Sequence, residues 1–372
     1  MKLRERPCGA LMVGSLPEGC RLCERGEKLV LFATGLCAYH CFYCPVSEEK
    51  MYRDVVFANE RRVERDEDLL EEARAMRATG AGITGGDPLE VADRVAHYIR
   101  LLKDEFGEDF HTHLYTMTAD LERIRVVADG GLDEIRFHPP PGMWARLEAS
   151  GFPAAVAEAR RLGMAVGFEV PLVPDRTEDL RRLLDWADGR IDFVNLNELE
   201  FSEANGGRMR AQGYAMKDEL AYGVTGSDEA ALDLLATPRH VTVHYCTSGY
   251  KDGWQLRKRI QRAAETVAQP WDVVTEDGTI LKGIVETDDL DSVERALLSE
   301  HGVPKRLIGA VPERRRVEVA PWILETLAGK LEWPAYLVEE YPTADRLEVE
   351  RRRLPGGPKP GGSRTSAALR PH

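Results

Sequence analysis

Three cysteines within eight residues, Cys37, Cys41 and Cys44, constrain this 372-residue chain more than any other feature. They follow an apolar, β-rich run over residues 29–33 that stops at Thr34-Gly35, which predicts a short buried strand. A loop with Cys-x3-Cys-x2-Cys spacing offers three thiolates close together. That is enough for three corners of a [4Fe–4S] cube, a cluster that ordinarily takes four cysteines. The fourth iron is then open to an outside ligand, and Tyr43 places an aromatic ring beside it. A zinc loop supplying three thiolates is the competing reading.

The length allows one large domain and a smaller one, with a sizeable core. No apolar run reaches membrane-spanning length. Charges occur within the first six residues and no signal-like apolar stretch follows, so the expected compartment is the cytoplasm. Seven cysteines is an odd number, and a chain of this size has no need of disulfide staples, so clustered thiols read as metal ligands. A net charge of −13 argues against general nucleic-acid affinity.

Past the cysteine loop, short β runs alternate with helical spacers. Leu69, Leu70, Ala73 and Met76 recur at helical spacing, and Gly80 ends that run. A strand over residues 81–84 then leads into Gly85-Gly86-Asp87-Pro88, where two glycines let the backbone approach a ligand closely. Five further helix–strand pairs carry the series to residue 245. About seven strands joined in this way predict parallel βα units and an incomplete TIM-like barrel. Chemistry in such a barrel gathers at the C-terminal strand ends, where His113, Tyr115, Thr116, Arg136 and His138 fall. Glu169 is an acid inside an otherwise apolar strand, which demands a partner. Only four asparagines occur, and three of them, Asn195, Asn197 and Asn205, lie within eleven residues. Strand alternation puts Asn195 and Asn197 on one face, where their amides suit adenosine or substrate, with capping as the plainer use.

The cysteine loop after a first strand, the aromatic before the last cysteine and the later Gly-Gly-Asp-Pro turn together resemble the radical S-adenosylmethionine (SAM) superfamily. The resemblance covers roughly residues 28–250. It implies a partial (β/α)6 barrel, a [4Fe–4S] cluster on Cys37, Cys41 and Cys44, and SAM chelating the free iron. It also implies that Gly85, Gly86, Asp87 and Pro88 cradle the SAM amino group, with Asp87 standing where the family has Glu. Tyr43 would sit beside the cofactor, Thr116 and Glu169 would hold its carboxylate and ribose, and Asn197 would meet the adenosine. A one-electron donor of the ferredoxin or flavodoxin type follows from that chemistry. The cysteine-rich lead, the Phe42–Pro45 end of the loop and the acidic run at positions 198–203 look like archaeal proteins related to the pyruvate formate-lyase activating enzyme. Activating enzymes are shorter and lack both the lead and a C-terminal appendage, so the substrate stays open between a metabolite, a peptide or RNA base, and a protein glycine. A non-catalytic zinc or iron–sulfur protein is the remaining alternative.

The expected organisation is therefore α/β: a cysteine-containing lead of irregular structure (1–27), the partial barrel (28–269), a small α+β substrate-recognition domain (270–354) and a disordered Gly/Pro-rich tail (355–372). Setting aside the three loop cysteines leaves Cys8, Cys20, Cys23 and Cys246. Four thiols are the number for a closed zinc site or a second, fully ligated iron–sulfur cluster.

Overall fold

The apolar runs assemble, in this computed structural model, mainly as parallel strands. The structure describes residues 2–217 and 222–356, which divide into two units, Met1–Arg259 and Ile260–His372. The first unit carries β1 (Leu3–Glu5), β2 (Leu11–Val13), β3 (Lys28–Phe32), β4 (Phe57–Ala58), β5 (Arg61–Arg62), β6 (Gly80–Thr84), β7 (His111–Thr116), β8 (Glu134–Phe137), β9 (Ala165–Leu172), β10 (Phe193–Glu198) and β11 (Thr242–Cys246). Their order in the sheet is β1-β2-β11-β10-β9-β8-β7-β6-β3-β4-β5. From β3 through β6 to β11 each neighbour is parallel and consecutive, giving seven parallel strands. That order has no switch point, so it winds in the sense of a (β/α) barrel and not of a doubly wound sheet. The ring does not close among the described residues: antiparallel β2 flanks β11, and antiparallel β4 flanks β3.

Amphipathic helices connect the strands: α1 (Glu18–Arg25), α2 (Asp66–Ala75), α3 (Ala92–Phe106), α4 (Leu121–Asp129), α5 (Phe152–Arg161) and α6 (Thr177–Ala187). Local chemistry sets their ends. Asp120 caps α4 by accepting from the backbone N–H groups of Glu122 and Arg123. Strand alternation then divides the residues into two sets. One set is apolar and sealed: Leu29 and Leu31, Ile83, Leu114, Ile135 and Phe137, Val166 and Phe168, Val194 and Leu196. Phe168, for example, stacks on Trp186 of α6 at 5.6 Å between ring centroids. The other set, facing a cavity, is polar along most of its length.

The lead was expected to be irregular, and the structure corrects that. β1 and β2 pair with each other and extend the main sheet through β11, while α1 packs against β3, β6 and β7. The physical reason lies in Leu11, Met12, Val13, Leu16, Cys20 and Leu22, all buried, whose apolar surface outweighs the Pro and Gly punctuation around them. Gly26, at φ +69°, ends α1 in the left-handed region.

The second unit is an antiparallel sheet of β12 (Val273–Val274), β13 (Ile280–Glu286), β14 (Ile308–Val311), β15 (Arg316–Val319), β16 (Ala335–Glu340) and β17 (Glu348–Arg353). The order is β14-β15-β13-β16-β17, with β12 on β13. Val285, Leu297, Val317 and Leu324 form its core. Beside the core, Lys282 reaches Glu318 and Glu340 at 3.0 Å each, and Arg316 binds the same two carboxylates. The unit begins at Ile260, where a boundary after residue 269 was expected. Nearly all of the tail lies outside the described residues. Among those residues no helix is long and apolar enough to cross a membrane.

Gly167 on β9 offers a direct test of the packing in the parallel sheet. A Cβ there would come within 2.2 Å of the Phe193 ring on β10, so Gly167→Ala overpacks a rigid neighbour. The substitution is expected to cost about 1–3 kcal/mol. Chemical denaturation of the metal-free chain should show a lowered midpoint, and an unchanged midpoint would contradict this packing.

Candidate active site

The loop after β3 is fastened on two sides before any cofactor is considered. Towards β6, the N–H of Gly86 donates to the Thr34 carbonyl at 2.7 Å and that of Asp87 to Leu36 at 2.8 Å. The cysteine loop and the Gly-Gly turn therefore share one backbone seam. Both glycines are required by this approach: a Cβ on Gly85 (φ +154°) would lie 2.3 Å from the Thr34 carbonyl oxygen, and one on Gly86 2.2 Å from that of Leu36. Beyond β10, Asn205 donates to the Tyr43 carbonyl at 3.0 Å and Arg208 to that of Cys44 at 3.1 Å. Phe42 stacks on Tyr214 at 5.7 Å.

Cys37, Cys41 and Cys44, all half-buried, line a cavity of about 440 Å³ that runs down the polar side of the sheet. Burial pushes the Cys37 thiol up to about 11 and raises that of Cys41, so in the metal-free chain these thiols keep their protons. Metal loading must release them. Tyr43 also faces the cavity, its hydroxyl 2.9 Å from Nε2 of His138. Burial drives His138 down to about 4, leaving a neutral imidazole.

Below the loop, the inward residues form a connected polar floor. Arg136 donates to Glu134 at 2.6 Å and to Glu169 at 2.9 Å, and its guanidinium lies over the rings of Tyr115 and Phe193 at 5.3 and 5.1 Å. Glu169 also accepts from Asn195 at 2.7 Å and Asn197 at 2.8 Å. Burial opposes ionisation of Glu169, but Arg136 and the two amides outweigh it and hold the carboxyl below its usual range. Lys28 donates to the Tyr115 hydroxyl at 3.2 Å.

Of the residues expected to bind cofactor, Tyr43, Gly85, Gly86, Thr116, Glu169 and Asn197 line this cavity. Asp87 and Pro88 do not. The buried Asp87 carboxylate accepts from Thr116 Oγ1 at 2.7 Å, Thr118 Oγ1 at 2.9 Å, Leu89 N and Met117 N, both at 3.1 Å. It clamps the Gly-Gly turn to the end of β7, and this clamp also occupies the Thr116 hydroxyl, which in turn accepts from Thr118 N at 2.9 Å. Cys20, Cys23 and Cys246 line the cavity too, whereas exposed Cys8 stands outside it with its carbonyl bonded to Thr247. Asn195, paired with Asn197 in the sequence, lines the cavity too; Lys28, His244 and Gln255 were not singled out as site residues, yet all three line it. For Lys28 a signal existed, a charge at an alternating position of a short apolar strand.

The fit to a three-thiolate cluster rests on this geometry. Three thiols share one wall with a turn whose glycines admit close backbone contact, above a floor on which Arg136 pairs with Glu134 and Glu169. Among the described residues no three His, Cys, Asp or Glu side chains are gathered round a single-ion position. Asp87→Asn would turn an amide N–H₂ toward groups that donate to the carboxylate. It is expected to cost about 1–3 kcal/mol. Chemical denaturation measures this, and an unperturbed midpoint would remove the clamp.

Residues 31–139 match the family model of the radical SAM superfamily, and residues 278–354 match a domain of unknown function, DUF8061. A Methanocaldococcus jannaschii protein named as a candidate glycyl-radical enzyme activating enzyme is 36% identical over 356 residues, covering 90% of this chain and 92% of that one. Among solved structures, the chain is similar to anSMEcpe with bound AdoMet (12% identity, 45% of this chain and 48% of that one, TM-score 0.33). It is also similar to the methyltransferase TsrM from Kitasatospora setae with cobalamin and a [4Fe–4S] cluster (12%, 65% and 52%, TM-score 0.35). The chain spans about half the length of these two structures. On the sequence matches, the chain belongs to the radical SAM superfamily and is related to its activating enzymes.

Proposed function

We propose that the protein cleaves SAM reductively and uses the product to abstract hydrogen from a substrate, on an incompletely closed barrel. The observation that carries this reading is the seam joining residues 34–36 to Gly86 and Asp87, which fixes three thiols and a glycine turn on one cavity wall. Cys37, Cys41 and Cys44 would hold three irons of a [4Fe–4S] cluster and leave the fourth for the methionyl amine and carboxylate of SAM. When bound, the cluster supplies the electron, drawn from a ferredoxin- or flavodoxin-type donor, that splits the C5′–S bond to methionine and a 5′-deoxyadenosyl radical.

The chain's own residues supply position and exclusion. Backbone at Gly85-Gly86 can lie against the ammonium group because no side chain intervenes. Tyr43, held by neutral His138, walls the cofactor on the loop side. Asn197 offers its amide oxygen to the adenosine while its N–H₂ stays on Glu169. Glu169 pairs with Arg136 and orients the two asparagines.

The relationship to an activating enzyme favours a second reading within the same chemistry, in which the hydrogen comes from a protein glycine. With a candidate partner, that reading requires a glycine-centred EPR doublet on the partner.

Anaerobic, reconstituted protein with a chemical reductant and SAM is expected to form 5′-deoxyadenosine and methionine in equal amounts. Cys41→Ala should lose about 100-fold or more, at least the upper end of what removing an outer-shell partner of a metal ligand costs. A cluster-loaded wild-type protein that forms no 5′-deoxyadenosine would refute the proposal in favour of a binding protein.

A further inference from the structure

Cys20, Cys23 and Cys246 come from distant parts of the chain yet share the cavity floor. Cys20 and Cys23 sit one turn apart on α1, which the apolar lead presses onto the polar side of the sheet. Gly19, the residue before Cys20, has no room for a Cβ beside His113 and Arg136, so α1 is fully docked at this point. Cys246 ends β11, on the same side as His244 two residues earlier.

Two amides connect these sulfurs. The Gln255 carboxamide meets Cys23 Sγ at 2.9 Å through its oxygen and Cys246 Sγ at 3.9 Å through its nitrogen. Asn195, register partner of His244 on the neighbouring strand, places its N–H₂ 3.2 Å from Cys20 Sγ. N–H groups directed at sulfur are the contacts that tune a thiolate-ligated cluster.

Two further side chains lack what their burial requires. His244 is 1% exposed, and neither ring nitrogen has a hydrogen-bond partner. A buried polar nitrogen left without a partner is costly, so native structures rarely tolerate one. Lys28 projects its ammonium group into the same floor beside Cys20 and Cys23, with a tyrosine hydroxyl and no carboxylate as partner among the described residues. A half-buried cation beside soft donors and a buried, unpartnered imidazole describe a site for an anionic, thiolate-bound metal centre.

We propose that Cys20, Cys23 and Cys246, with His244 as fourth ligand, hold a second iron–sulfur cluster on the cavity floor, separate from Cys37, Cys41 and Cys44. The four-cysteine set expected from the sequence is revised: Cys8 faces solvent outside the cavity, and His244 takes its place. Zinc bound by the same donors is the competing outcome that the metal analysis below decides. Four protein ligands would leave this centre no open iron, so it should not respond to SAM.

The test is iron content and low-temperature EPR of the anaerobically reconstituted full chain. Wild type is expected to hold about eight irons, and the C37A/C41A/C44A variant about four. The reduced signal of that variant should stay unchanged when SAM is added. C23S/C246S should lose the other half of the iron and keep a SAM-responsive signal, while C8S keeps both centres. About four irons in wild type, background iron in a folded C37A/C41A/C44A variant, or zinc in its place would overturn the proposal. Loss of the second centre in C8S, or unchanged iron and spectrum in H244A, would overturn the ligand set. Iron retained by C37A/C41A/C44A while wild type fails to cleave SAM would leave this site standing and refute only the proposed activity.

Discussion

Two backbone hydrogen bonds, from Gly86 and Asp87 to the carbonyls of Thr34 and Leu36, hold the site together. They join the first parallel strand's exit loop to that of its neighbour, so the cysteine loop inherits the rigidity of the sheet. Without them the loop would be a long irregular excursion, and three thiols on such a loop would have no fixed relation to a cofactor turn. Asp87 reinforces the seam from below. Its carboxylate accepts from two hydroxyls and two backbone N–H groups, which spreads its charge among donors and ties the turn to β7 as well. A glutamate could accept the same bonds only with a longer reach, so the aspartate here belongs with its particular threonines.

The second constraint is electrostatic. A sheet face carrying Arg136, Glu134 and Glu169 in burial is costly to desolvate. The structure offsets the cost by pairing Arg136 with both carboxylates and by the two asparagines, which donate to the two Glu169 oxygens. Such a floor contributes little stability for its size. What it gains is orientation: Glu169 fixes the amide nitrogens of Asn195 and Asn197. The lead helix closes the floor from the side of β3 and β6, and it brings two cysteines with it.

The loop cysteines were legible because their spacing is fixed by local geometry, and the glycine turn because its position after a short strand is local too. The winding order followed from alternation of strand and helix. The clamp made by the Asp87 carboxylate was not legible because its four donors sit at residues 89 and 116–118, where no pattern marks them as its partners. The lead was misread because β2 is three residues long and sits between Pro- and Gly-rich turns, so its period cannot be counted, and its pairing with β11 spans about 230 residues. Arg136 and Lys28 show the same limit: a charge at an alternating position of an apolar strand signals an interior site, but which groups neutralise it depends on the neighbouring strands.

The account turns on where SAM sits relative to the seam. An anaerobic crystal structure of the reconstituted protein with SAM measures that directly. It should show Cys37, Cys41 and Cys44 on three irons, the methionyl amine and carboxylate on the fourth, and the amine against the Gly85-Gly86 backbone. A loop cluster with four protein ligands, or SAM bound away from that turn, would contradict the account.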